Sequence, residues 1–174
     1  MAAALWFEPT ASELVALKAL LDPCSGVRLV RAGATEVSGP AATLLRRAVC
    51  LAPQPVRSYF AVCALEAWRR VPVTQLAAWS DIPYSLLKRR LATWGLTPAA
   101  VAAWNLALHA TWLLDVAELP ASSVVSCMQL GRPAALGAIL GARGISFFGG
   151  QVQPGAFSAT LKRYLDLLRA AFGA

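Results

Sequence analysis

Residues 73–98 read VTQLAAWSDIPYSLLKRRLATWGLTP. A short helix seeded by Thr74 carries Leu76 and Ala77. Ser80, Asp81, Ile82 and Pro83 then break it, a composition suited to a tight turn. A second helix follows, with Leu86, Leu87 and Leu91 inward and Lys88, Arg89 and Arg90 massed together, and Gly95 ends it. Two short helices joined by a tight turn, the second bearing the charge, form the layout of a helix-turn-helix over residues 74–94. That unit lays its second helix in the DNA major groove. Small Ala77 lets the helices cross closely, and Ile82 is placed to plug the corner between them.

On the second helix Tyr84, Ser85, Lys88 and Arg89 lie at i, i+1, i+4 and i+5, a spacing that gives one exposed face. Lys and Arg donate to guanine O6 and N7, and Ser or Tyr can hydrogen bond bases or phosphates. Arg90 lies towards the flank and suits a phosphate. Arg69 and Arg70, just ahead of the motif, also suit backbone phosphate. The plainer alternative is that the Lys-Arg-Arg run is only a solvated helix face.

Composition agrees with a folded, helical chain. Of 174 residues 57% are hydrophobic and 14% charged, which excludes a disordered polyampholyte. The length suits one domain, or a small domain with an appendage. Sixteen basic against nine acidic residues leave a net charge of +7, which favours a polyanionic partner. Cys24, Cys50, Cys63 and Cys127 lack C-x-x-C spacing and sit in apolar contexts, so buried reduced thiols are expected over disulfides. The start, MAAALWFEPTASE, lacks the basic region of a secretory signal. The most apolar run, residues 99–114, is short for a membrane span and holds Asn105 and His109. It reads as a buried central helix.

No catalytic, metal or cofactor site is expected. His109 is the only histidine and reads as a packed one. The six tryptophans read as core rather than base-stacking platforms. Gly144, Gly149 and Gly150 are followed by no Lys-Ser/Thr, so they make no phosphate loop. The acids are scattered singly. A cytoplasmic protein is implied, with duplex DNA as partner and a second copy or another protein as a further one.

The rest of the chain divides in two. Residues 1–53 read as a small α/β segment. It has an apolar ALWF start, a helix from Thr10 or Ser12 stopped by Asp22-Pro23, a strand over 27–30, a turn-rich 33–40 and a helix over 41–51 with Arg46 and Arg47 exposed. Pro53-Gln54-Pro55 reads as a linker. Residues 54–174 read as almost wholly helical. An amphipathic helix over 56–70 has Val56, Phe60, Cys63, Ala64 and Ala67 on one face. The helix-turn-helix comes next, then a long helix opened by Thr97-Pro98. A short helix over 124–130 capped by Ser122 or Ser123 follows, then one over 134–142, a glycine-rich loop over 144–155 and a final helix over 157–172. Leu161, Tyr164, Leu165 and Leu168 face inward on the last. The fold class is mainly α, two helix-turn-helix-like modules joined by a long central helix and preceded by the α/β segment.

This order resembles the DNA-binding domain of the AraC/XylS family of bacterial transcription regulators, over residues from about 56 to 174. The resemblance rests on Leu76-Ala77, Leu87-Lys88-Arg89-Arg90-Leu91, Gly95-Leu96-Thr97-Pro98 and Ala110-Thr111-Trp112-Leu113-Leu114, in the family's order and spacing. It implies a sequence-specific DNA-binding regulator with Arg89 at the family's motif position. The chain departs from the family at Pro83, where a Ser or Thr cap is usual. It departs again at Leu106, in place of an Arg, and at Arg132, in place of an aromatic. The helix in PAALGAILGARG lacks the family's basic cluster, and only Arg143 remains at its end, so the second module is expected to pack without reading DNA. Residues 1–53 look like the truncated start of a receiver-like domain without its acidic cluster. The alternative function is a degenerate relative that serves as a protein-interaction scaffold without binding DNA.

Overall fold

A computed structural model describes residues 4–5, 28–29 and 40–173, and these are mainly helical. Strands β1 (Ala4–Leu5) and β2 (Arg28–Leu29) pair in parallel, Ala4 opposite Arg28 and Leu5 opposite Leu29. The strand expected over 27–30 is therefore present. The helix expected after Thr10 and most of the turn-rich 33–40 lie outside the described residues.

Helix α1 (Pro40–Leu44) runs into a π-helical turn, Leu45–Val49, with Arg46 and Arg47 exposed. Pro53-Gln54-Pro55 is the start of a helix rather than a linker. Pro53 is the N-cap of α2 (Gln54–Glu66), and Pro55 sits in its first turn, where a missing N–H costs nothing. Leu44, Leu45, Ala48, Val49 and Ala52 enter the same core as Val56 and Phe60. Packing is therefore continuous across position 53.

Helix α2 buries Val56, Phe60, Cys63 and Ala64 as its apolar face requires. It also buries Ser58, Tyr59, Ala61 and Val62, so it is enclosed on all sides. A 3-10 turn, Ala67–Arg69, ends it. Burial pushes the Cys63 thiol up to about 12, with Tyr59 opposing. Cys63 alone fits the buried thiol expected of the cysteines, because Cys50 and Cys127 are exposed. All three are free, and Cys24 lies outside the described residues.

Helices α3 (Val73–Trp79) and α4 (Tyr84–Ala92) follow, then α5 (Pro98–Asp115). Thr97 caps α5, its Oγ1 accepting from the Ala100 N–H at 3.1 Å. Several hydrogen bonds bolt α5 to other helices, while the Thr111 hydroxyl turns back to the Ala107 and Leu108 carbonyls of its own helix. The Tyr59 hydroxyl donates to the Pro98 carbonyl at 2.8 Å. Asn105 donates to the Val101 carbonyl at 2.8 Å and to the Tyr164 hydroxyl at 3.2 Å. His109 Nε2–H donates to the Ala64 carbonyl at 2.8 Å, in the last turn of α2, where carbonyls lose intrahelical partners. Burial holds His109 down at about 4 against that hydrogen bond. Among the described residues no helix is long and apolar enough to cross a membrane.

Helices α6 (Ala121–Cys127) and α7 (Pro133–Gly141) come next. The cap of α6 is Pro120, not Ser122 or Ser123, just as Pro72 rather than Thr74 precedes α3. A hairpin of β3 (Phe147–Phe148) and β4 (Gln151–Val152) lies within the expected glycine-rich loop. Helix α8 (Ala156–Phe172) closes the chain, with Leu161, Tyr164, Leu165 and Leu168 buried as expected. The Asp115 carboxylate, at the end of α5, accepts from the Gly155 and Phe157 N–H groups at 3.0 and 2.9 Å. It satisfies orphan donors at the start of α8.

The two helix pairs share one backbone plan. Arg70 and Glu118 both adopt positive φ, 56° and 51°, two residues before Pro72 and Pro120. The first helix of each pair ends at Ser80 or Met128, both at φ −89° and ψ 4°. Asp81 and Gln129 then turn with φ of 55° and 52°. Buried Ile82 and Leu130 follow, their N–H groups returning to the Ala77 and Val125 carbonyls. Each second helix buries two leucines, Leu87 and Leu91 or Leu136 and Leu140. Each ends through a left-handed glycine, Gly95 or Gly144, and the next residue, Leu96 or Ile145, returns its N–H to Leu91 or Leu140. Gly131 is the one residue inserted between the plans. The first pair belongs to the core of α1, α2 and α8, and the second makes its own cluster of Val124, Met128, Leu130, Leu136, Leu140 and Ile145. Helix α5 feeds both, through Val101 and Leu108 to the first and Ala107 and Ala110 to the second.

Candidate nucleic-acid interface

The rear of α4 is fixed by burial. Leu87 and Leu91 are fully buried, and Leu86 is half-buried against the same core. The turn ahead of α4 is pinned from two sides. The Ser80 hydroxyl donates to the Ala77 carbonyl at 2.7 Å, and the Ser58 hydroxyl of α2 donates to the Ser80 carbonyl at 3.0 Å. Ile82 is buried in the corner, as its position predicts.

The front of α4 exposes Tyr84, Ser85, Lys88 and Arg89. The four form the single outward face that their spacing requires. No hydrogen bond or ion pair engages Lys88 or Arg89 among the described residues. Between residues 67 and 114 the only acid is Asp81, so the chain around this face is locally rich in positive charge.

The other three basic residues differ. Arg90 is half-buried, and its guanidinium donates to the Pro55 carbonyl at 2.9 Å, tying α4 to the start of α2. Arg69 lies 3.1 Å from Glu66 and 5.1 Å over the Trp68 ring. The Arg69 contact falls outside hydrogen-bond geometry, so Glu66 Oε2 stays buried without a hydrogen-bond partner. Burial raises the Glu66 carboxyl, and Arg69 partly offsets it. Arg70 is exposed at the left-handed turn that leads into α3.

The second pair presents a different surface. By the shared plan Gly137 and Ala138 of α7 occupy the places of Lys88 and Arg89. Ala134, Ala138 and Gly141 are exposed there. Arg143, at the end of α7, lies 5.1 Å over the ring of Trp104, which stacks on Tyr164 at 5.7 Å. Desolvation lowers its guanidinium. Arg132, at the N-cap of α7, is exposed. Of the six tryptophans read as core, Trp68, Trp79, Trp94 and Trp104 pack against the buried clusters, and Trp6 lies outside the described residues. Trp68, Trp79, Trp94, Trp104 and Trp112 are all half-buried, and Trp94 meets Phe172 edge-on at 5.4 Å.

The sequence suggests two similar helix pairs, but two features escape it, the turn-by-turn match of their backbones and the hairpin. The second had a signal. Gly149-Gly150 between Phe147-Phe148 and Gln151-Val152 is the composition of a two-residue hairpin turn. Among the described residues no group of three or more His, Cys, Asp or Glu side chains could hold a metal ion. In comparisons with known proteins, the chain matches no protein-family model, no curated protein sequence and no solved structure.

Proposed function

We propose that the chain is a sequence-specific DNA-binding transcriptional regulator that reads duplex DNA through α3 and α4 as a helix-turn-helix. The observation that carries this is the face of Tyr84, Ser85, Lys88 and Arg89, unengaged in front and locked behind by Leu87 and Leu91. A rigid helix offering two cationic side chains beside a hydroxyl and a phenol suits base edges and phosphates. The resemblance to AraC/XylS-family domains supports the same reading, as does the net charge of +7. A cytoplasmic setting follows from the partner, and self-association would supply a second half-site.

The test is binding to mixed-sequence duplex DNA across a salt series. Affinity that falls steeply as salt rises is the expected result, because neutralised phosphates release counterions. Absence of binding at low salt would instead favour a scaffold that docks on another protein. Gly137 and Ala138, standing where the first pair has Lys88 and Arg89, are the observation on that side.

A further inference from the structure

The corner between the π-helical turn and α2 gathers two arginines from different helices. Arg57, on α2, donates from Nε to the Ala52 carbonyl at 3.0 Å. Arg90, on α4, donates from Nη1 to the Pro55 carbonyl at 2.9 Å. The two acceptor residues are three apart in the chain, a reach of at most about 10 Å. Ala52 lies just past the end of a helical stretch, where carbonyls are left without intrahelical partners. Neither bond removes the charge. A guanidinium has five N–H donors in a planar fork, and each of these two uses one. Arg57 is held through Nε, so both of its terminal nitrogens are left over.

Among the described residues no carboxylate forms an ion pair with Arg57 or Arg90. Glu66 ends α2, about 13 Å along the helix from Arg57. Asp81 precedes α4, whereas Arg90 is in its last turn. Asp115 and Asp166 are bound on α8, and Glu118 leads into the second pair. Two half-buried cations therefore meet at one corner without a described counter-ion. Like charges held together repel, and an anion between them relieves the repulsion. The corner also borders the face of Lys88 and Arg89. Arg90 follows Arg89 by about 100° around α4 and so marks its flank. A helix with its side chains is about 10–12 Å across, and the major groove is about 12 Å wide. A helix in that groove fills it, and whatever is fastened to its flank meets the phosphate ridge alongside. The Arg90 bond fastens the corner there.

We propose that Arg57 and Arg90 form a phosphate clamp, with which the corner ahead of α2 grips the backbone of duplex DNA on the flank of α4. It rests on the DNA-binding reading above. The clamp fixes the position of α4 in the groove and carries no base specificity of its own. Arg57 lies outside the helix-turn-helix, and only the fold brings it to the side of Arg90.

The experiment titrates the full chain with several duplexes across a salt series, well below the thermal melt. Arg57→Gln is the deciding variant. Gln Nε2 stands at the same place along its side chain as Arg Nε, so a donor to Ala52 is kept while both terminal nitrogens are removed. Its melt should match the parent's. Loss of one phosphate contact should flatten the slope of log K against log salt by about 0.9, which amounts to about eightfold weaker binding at about 0.1 M salt. The loss should be equal on every duplex, as for a phosphate rather than a base contact. Arg57→Lys, which keeps the charge, should keep the parent's slope. Lys162→Gln, which removes the same unit of charge from α8, should keep it too. A parent-like slope in Arg57→Gln would overturn the clamp and leave the DNA-binding reading intact, and a lowered melt beside it would show Arg57 to be a strut for Ala52 alone. A Lys162→Gln slope as flat as that of Arg57→Gln would also overturn it, because net charge rather than the corner would then set the slope. If the parent binds no duplex at low salt, the DNA-binding reading itself fails, and the clamp with it.

Discussion

Arg89 and Arg90 are chain neighbours with different work. One full step around α4 separates a guanidinium facing outward from one that holds the Pro55 carbonyl. Arg89→Ala should therefore weaken DNA binding without unfolding the protein. Loss of a bidentate base contact would cost about 1–3 kcal/mol. Loss of a phosphate contact would lower affinity evenly and flatten the salt slope by about one unit. Titration of several duplexes separates the two, and a variant as tight as the parent on every duplex removes α4 from the interface. The outward position of Arg89 was legible because helical period alone decides it. The bond from Arg90 was not, because it depends on where Pro55 falls in three dimensions. His109 was legible as a packed residue but not as the partner of the α2 terminus. Its folded pKa of about 4 lies below the ordinary 6.5, so the folded state binds fewer protons in that range. Its contribution is complete above pH 6.5 and is lost as pH falls towards about 4. That loss has a limiting slope of about 1.4 kcal/mol per pH unit. His109→Gln can donate to the same carbonyl but does not titrate, so its stability should fall less between about pH 7 and about pH 5. Urea midpoints at the two pH values measure this, and equal losses in the two proteins would rule His109 out as the source.

At the scale of elements, the helix pairs show how a backbone plan can persist while its surface changes. Among the positions that set the shared plan, only Pro72 and Pro120, Leu87 and Leu136, Leu91 and Leu140, and Gly95 and Gly144 are identical. These residues set the helix start, the buried seam and the left-handed exit. The outward positions are free to differ, which is why the plan is plain in the backbone and faint in the sequence. The helix caps show the same limit. Thr97 was legible as a cap because it directly precedes a proline-started helix. Ser122 and Ser123 were misleading, because Pro120 already starts α6. The hairpin was missed because each strand is two residues long, too short for alternation to register. The plan also gives a prediction by exchange. Replacing Gly137 with Lys and Ala138 with Arg should give α7 the charges of α4. A Cβ at Gly137 meets only the Phe147 ring at 3.6 Å, an ordinary contact. Removing a glycine from a helix interior should add about 0.5–1 kcal/mol of stability. If α7 lies against DNA, two further phosphate contacts should steepen the slope of log K against log salt by about 1.8. An unchanged slope in a more stable protein would place this face away from the duplex.

For the molecule as a whole, the sequence indicates a helical body beginning at residue 54, where two prolines flank Gln54 and the resemblance takes over. A pair of prolines is as good a signal for the start of a helix as for a linker, and only packing distinguishes them. The structure resolves it through Leu44, Leu45, Ala48, Val49 and Ala52, which lie in the core that encloses α2. The sequence placed the central helix after Pro98, because that run is the most apolar. Helix α2 proves to be enclosed on all sides, since α1, α5 and α8 supply apolar neighbours that no local window contains. The consequence is quantitative. Full burial of an aliphatic side chain contributes about 1.5–3 kcal/mol. Leu44, Leu45 and Val49 together therefore contribute on the order of 5 kcal/mol or more, before the exposure of Phe60 and Val56 is considered. Net stabilities of domains are about 5–15 kcal/mol. A fragment of residues 54–174 should therefore be close to unfolded or loosely packed, whereas one of residues 40–174 should retain a cooperative core. Urea unfolding followed by tryptophan emission compares them directly, since Trp68, Trp79, Trp94, Trp104 and Trp112 are in both fragments. A shorter fragment that unfolds as cooperatively as the longer one, at the same urea midpoint, would show that α1 only lies against a body that already folds without it.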